Sequence, residues 1–157
     1  MSLNIAPVYG KQFIRYAETW EAATDNQGED IGVVEIPEFA VVAYATYAGA
    51  NKCCTPGDLT EFDGPIIGVN QSYIPTALAQ PYTARQASIA TSGSLIVEKD
   101  PDTEAAFVLN SVLSVGPTGK ALPVADGGVA VSLDGTTPLI REIVEIGGRT
   151  ILIVSFA

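Results

Sequence analysis

The sequence predicts a mainly β protein: a small antiparallel β-sandwich or barrel with one or two short helices. Short runs rich in β-branched and apolar residues recur along the chain, as in IGVVEIPEFAVVAYATYA (31–48) and RTILIVSF (149–156). Turn pairs such as Pro56-Gly57, Asp63-Gly64 and Gly147-Gly148 separate these runs. At 157 residues the chain fits one domain, and such a length buries roughly 68–70% of its unfolded surface without disulfide or metal.

Residues 1–30 read as an N-terminal arm and 31–157 as the β-rich domain. In the arm, Phe13, Tyr16, Ala17 and Trp20 recur at helical spacing, so KQFIRYAETWEAA suits two to three turns of amphipathic helix. Val8, Ile14 and Tyr16 equally suit an extended strand, and the pattern alone leaves both open. TDNQGED (24–30) is polar and breaks either element. Pro37 then divides the 31–48 run into two strands. NKCCTPGDLTEFDG (51–64) reads as loop, with Cys53 and Cys54 at the start of its turn, and PIIGV (65–69) as a short buried strand.

SYIPTALAQPYTAR (72–85), with two prolines, reads as irregular. RQASIATSGSLIVEKD (85–100) alternates well enough for a long strand, with Gly93 as a bulge. PDTEAAFVL (101–109) has proline first, acids in the first turn and apolar residues after, which predicts a short helix. SVLSV, GPTGK and ALPV (111–124) predict strand, turn and strand, and ADGGVAVSLDGTTP another loop-rich crossing. REIVEI and RTILIVSF around Gly147-Gly148 predict a closing hairpin.

Composition excludes several function classes. Eight Lys and Arg stand against eighteen Asp and Glu, a net charge of −10, and the cations are scattered singly. Direct binding to nucleic acid needs clustered cations, as does attachment to an anionic membrane surface. No apolar run approaches the ~18–20 residues of a membrane span, and the N-terminus lacks the basic and apolar stretches of a secretion signal. Charged residues make up 17% of the chain against the usual ~25%, which points to a surface partly covered by self-association or assembly.

The absence of histidine removes Ser–His–Asp and Cys–His catalysis and histidine-ligated metals. The carboxylates lie mostly in loops, with nothing to set two of them in a cleft, so the chain reads as a non-enzyme with no cofactor and no metal. Asp100, Asp102 and Glu104 alternate as at the start of a calcium loop, but the loop glycine and distal glutamate are missing. Gly116 to Lys120 lacks the spacing of a phosphate-binding loop and reads as a turn. Cys53 and Cys54 read as two thiols with no disulfide framework and too few donors for zinc. Asn70-Gln71-Ser72 matches a glycosylation acceptor, which carries no weight without secretion. The candidate functional residues are instead the aromatics Tyr9, Phe13, Tyr16 and Trp20, as anchors of an interface with a sister subunit or a partner.

FDGPIIGVNQ, then ASIATSGSLIVEKD, SVLSVGPTGKALPVADG and the hairpin REIVEIGGRTILIVSF resemble the layout of tailed-phage capsid decoration proteins, also called cement proteins. The resemblance covers roughly residues 31–157 and is one of pattern; the 30-residue front and the PTALAQPYTAR stretch depart from it. It implies a virion structural protein on the capsid exterior, made in the host cytoplasm. The implied partners are the major capsid protein and the chain itself, with a trimer favoured. The alternatives are a head–tail or tail component, or a ligand- or carbohydrate-binding β-sandwich, for which Tyr73 and Tyr82 are the loop aromatics.

Overall fold

The computed structural model describes residues 10–23, 32–33, 35–45, 51–59, 66–74, 77–78, 86–104, 106–133 and 136–156. The protein is mainly β, as the sequence predicts, and its helical content among these residues is two three-residue 3-10 turns, Pro56–Asp58 and Val124–Asp126.

The strands in chain order are β1 (Phe13–Ala22), β2 (Gly32–Val33), β3 (Val41–Tyr44), β4 (Lys52–Cys54), β5 (Ile66–Asn70) and β6 (Ala77–Leu78). They continue with β7 (Gln86–Glu98), β8 (Ser114–Val115), β9 (Val129–Ala130), β10 (Leu139–Ile146) and β11 (Arg149–Phe156). β7 is the long strand on which the others are hung. β1 and β5 both pair with its residues Ile89 and Ala90, so they occupy opposite edges; β1 and β11 both pair with Gly93 and Ser94, so they too are opposed. β5 and β11 therefore share one edge and β1 holds the other.

The pairings β1–β4, β4–β3, β3–β5, β5–β7 and β7–β1 return to their start, which closes a ring of five strands. All are antiparallel except β1–β4, a parallel seam at Glu21↔Lys52 and Ala22↔Cys53. Closure hides edges of the ring strands that would otherwise offer unpaired backbone groups. The β10–β11 hairpin extends the sheet beyond β7, while β2–β6 and β8–β9 are separate two-stranded pairs.

Two apolar clusters fill this frame. A smaller one draws on all the ring strands, through Ala22, Val42, Cys53, Ile67 and Ile89. The larger one lies between β3, β5, the C-terminal half of β7 and β11, with Leu95, Leu113, Ile140, Leu152 and Val154 fully buried. Successive residues of β3 serve different clusters, Val41 and Ala43 the larger and Val42 the smaller. That is the two-residue period of a strand buried on both faces.

Several expectations gain detail. β7 carries an irregular register against β1, with shifts between Ile14 and Tyr16 and between Tyr16 and Ala17. Gly93 sits there at φ +124°, and a Cβ on it would lie 2.0 Å from the carbonyl oxygen of Phe13, so only glycine fits. Gly147 and Gly148 have φ of 57° and 77°, the double positive φ of a hairpin turn whose twist matches its strands. The irregular 72–85 stretch lies largely outside the described residues, which there comprise an Ile74–Ile36 bridge and β6.

Three readings need correction. Residues 13–22, assigned to an arm apart from the β-rich domain, form β1 of the main sheet, and their backbone groups are paired with β7 from Phe13↔Ser94 to Glu21↔Gln86. No helix occurs among the described residues of 101–109. There the Asp100 carboxylate accepts from the Asp102 backbone N–H at 2.8 Å and Lys99 Nζ donates to the Thr103 carbonyl at 2.5 Å, so local side chains hold a turn instead. Cys53 and Cys54 lie not in a loop but in β4, paired with Tyr44 and Ala43.

Candidate functional site

The four aromatics named from the sequence part company. Tyr9 lies outside the described residues. Phe13 and Tyr16 stand on β1 with 63% and 66% of their surface in water, and Ile14 between them is 41% exposed. Trp20 is half-buried and turns its ring to Tyr44, edge to face, with centroids 5.6 Å apart and planes at 64°. Its indole N–H donates to Glu18 Oε2 at 2.9 Å. Phe13 and Tyr16 thus form an exposed apolar stretch, and Trp20 belongs to a cleft.

That cleft has a volume of about 540 Å³. One wall is β1, through Arg15, Tyr16, Glu18 and Trp20; Tyr44 of β3 and Ile66 and Ile67 of β5 face them, and Thr91 and Ser92 of β7 line it with Leu133 and Thr136. The register irregularity in β1 and β7 falls at Arg15, Tyr16 and Thr91, so the bulged backbone builds part of the wall. Thr91 Oγ1 donates to the Tyr16 carbonyl at 3.3 Å. Ser92 is 7% exposed, and its hydroxyl has no hydrogen-bond partner among the described residues. Arg15, exposed, forms no ion pair among them. Among the described residues the arrangement offers aromatic surface, apolar side chains and several hydrogen-bonding groups, with one cation and one carboxylate.

A second polar cluster is structural. Glu98 is 4% exposed at the end of β7, and its carboxylate accepts from the Arg149 guanidinium at the start of β11. Lys120 Nζ lies 3.7 Å from its other oxygen. Nearby Glu38 titrates above the usual carboxylate range, chiefly because it is desolvated; Arg149 opposes the shift and Glu98 adds to it. The sequence gives no motif for this group, since the hairpin register alone brings Arg149 beside Glu98.

The remaining candidates are spent within the fold. Asp100 caps its own turn, and Thr103 Oγ1 donates to Asp126 at 2.8 Å. No group of three metal-binding side chains occurs among the described residues. Gly116 to Lys120 is a turn, closed by the Gly116 N–H on the Lys120 carbonyl at 2.9 Å. Cys53 and Cys54 are buried thiols without a disulfide, and burial pushes the Cys53 thiol up to about 12. Asn70 is fully buried, and its amide donates to the carbonyls of Ile36, Pro37 and Ser72, so it is no glycan acceptor in the folded chain. Tyr73 is exposed and donates to Glu35 Oε2 at 3.0 Å; Tyr82 lies outside the described residues. Among the described residues no helix is long and apolar enough to cross a membrane. No family model, curated protein or solved structure matches the chain.

Proposed function

We propose that the protein is a virion structural protein that binds the outside of a tailed-phage capsid and strengthens contacts between major capsid subunits. The observation that carries the reading is the exposed apolar stretch at the start of β1. Phe13 and Tyr16 keep about two thirds of their surface in water although they stand on a paired strand. A strand fixes the backbone before binding, so less ordering entropy is lost on docking. Covering one large aromatic contributes on the order of 1.5–3 kcal/mol, and aromatics are favoured anchors of protein interfaces. The low charge density and the sequence resemblance to decoration proteins point the same way. In this reading the protein has no catalytic role, self-associates, with a trimer favoured, and shares its capsid site with sister subunits.

The test is co-sedimentation with capsids of the parent phage stripped of their outer proteins. Wild type is expected to pellet with the capsids at saturable occupancy. A Phe13→Ser, Tyr16→Ser double variant, with an unchanged circular dichroism spectrum, is expected to bind at least about tenfold more weakly, as the loss of ~1.4 kcal/mol requires. Wild type that stays in the supernatant, or a variant that binds as well as wild type, overturns the reading.

A further inference from the structure

We infer that the cleft between β1, β3 and β5 is a binding site for a neutral oligosaccharide, with the Trp20–Tyr44 pair as its aromatic wall and Ser92 as a hydrogen-bonding group held ready for a sugar hydroxyl. The cleft shares Tyr16 with the stretch proposed to dock on the capsid, but Phe13 does not line it, so Phe13 separates the two proposals.

The cleft volume of about 540 Å³ lies within the ~300–1,000 Å³ of small-molecule sites. The composition of the walls then selects among ligands. A buried hydroxyl without a partner is uncommon, because desolvation without a compensating hydrogen bond is unfavourable. Among the described residues Ser92 is such a group, 7% exposed and lining the cleft. A purely apolar ligand would seal it off unpaired. Among the described lining residues a phosphorylated or strongly anionic ligand would meet one cation, Arg15, beside the Glu18 carboxylate, on a chain of net charge −10.

A neutral sugar meets neither obstacle. Its ring carries an apolar C–H face that packs on aromatic surface and a rim of hydroxyls that both donate and accept. Around this cleft Ser92 and Thr136 supply hydroxyls, Glu18 an acceptor and Arg15 a donor. The aromatic wall is set in advance, since the Trp20 indole is held by Glu18 at 2.9 Å and by the Tyr44 edge contact. Little side-chain entropy is then lost on binding.

Trp20 is the sole tryptophan, so tryptophan emission, excited selectively over the six tyrosines, reports on this cleft. The experiment titrates the protein with cellotriose, chitotriose, maltotriose and lactose while following that emission. A saturable change with at least one of them is expected, with a Kd of about 1 mM or tighter. Ser92→Ala is expected to keep or raise the Tm, since it removes an unpaired buried hydroxyl, and to weaken binding about tenfold. Phe13→Ser is expected to bind sugar as wild type does, while Ser92→Ala still pellets with capsids; these two results separate the two proposals. No saturable change with any of the saccharides up to roughly 20 mM overturns the inference. So does a Ser92→Ala protein that binds as tightly as wild type.

Discussion

β1 and β11 run antiparallel to the same strand, β7, and meet across Gly93 and Ser94 from its two edges, yet they end in opposite environments. Of β11, the run Ile151-Leu152-Ile153-Val154 is buried on both faces; of β1, only Ala22 at its end is buried. The difference follows from residue choice. β11 carries continuous branched aliphatics, which suit a strand covered on two sides. β1 interleaves Arg15, Glu18 and Glu21 with aromatics, and such residues keep a polar or amphipathic end in water. Backbone pairing is thus no guide to burial here: one edge of β7 builds core, and the other builds exposed surface.

That contrast breaks most visibly through core truncation. Leu152→Ala is expected to cost about 2–5 kcal/mol in urea unfolding, as for other fully buried leucines. Ile14→Ala, on the exposed strand, is expected to cost less than about 1 kcal/mol. Equal losses would mean that β1 is as much core as β11. The next effect concerns charge. Arg149→Ala leaves the Glu98 carboxylate buried with Lys120, at 3.7 Å, as its one remaining cation among the described residues, and about 3 kcal/mol is expected. The matching exposed pair, Lys11 Nζ to Glu142 at 2.8 Å, joins the residue before Gln12 to β10 and is expected to be worth no more than about 1 kcal/mol. A Lys11→Ala loss as large as that of Arg149→Ala would erase the distinction between the two edges.

The smallest effect is a pH dependence. The folded pKa of Glu38 is raised, so the folded chain holds that proton more tightly than the unfolded chain does. The stability tied to it is present below the ordinary carboxylate pKa and is lost as pH rises through the raised value. Glu38→Gln is therefore expected to melt slightly above wild type at neutral pH, with the gap closing as pH falls through that window. A gap that is constant with pH would remove the titration from the account.

Where neighbours in sequence decide the structure, the sequence was readable. The Gly147-Gly148 hairpin, the buried β5 and the long β7 with its glycine irregularity all follow from local pattern and turn chemistry. The helix expected over 101–109 fails because propensity competes with side chains outside the pattern, Lys99 and Asp100, that stabilise a turn. β4 was hidden because a three-residue strand beside Pro56-Gly57 carries too little pattern to register. The candidate site was the least legible. Trp20 stood out as an aromatic, but Tyr44, Ser92 and Thr136 gave no signal, since only the ring closure and the bulged register bring them to one cleft. Glu98 and Arg149 meet for a similar reason, a strand register that no spacing in the sequence announces.

The closed ring also sets a schedule for biosynthesis. β1 joins β7 through pairs such as Phe13↔Ser94, and everything from β2 to β6 must be translated in between. At roughly 5–20 residues per second, the nascent β1 waits several seconds for its partner. Its aromatics are displayed throughout that interval with no sheet to receive them. The arginine and glutamates spaced along β1 break up its apolar residues, and charges so placed oppose strand aggregation. Replacing them with valine would reduce the yield of soluble chain well before it altered the melting temperature of the chain that folds.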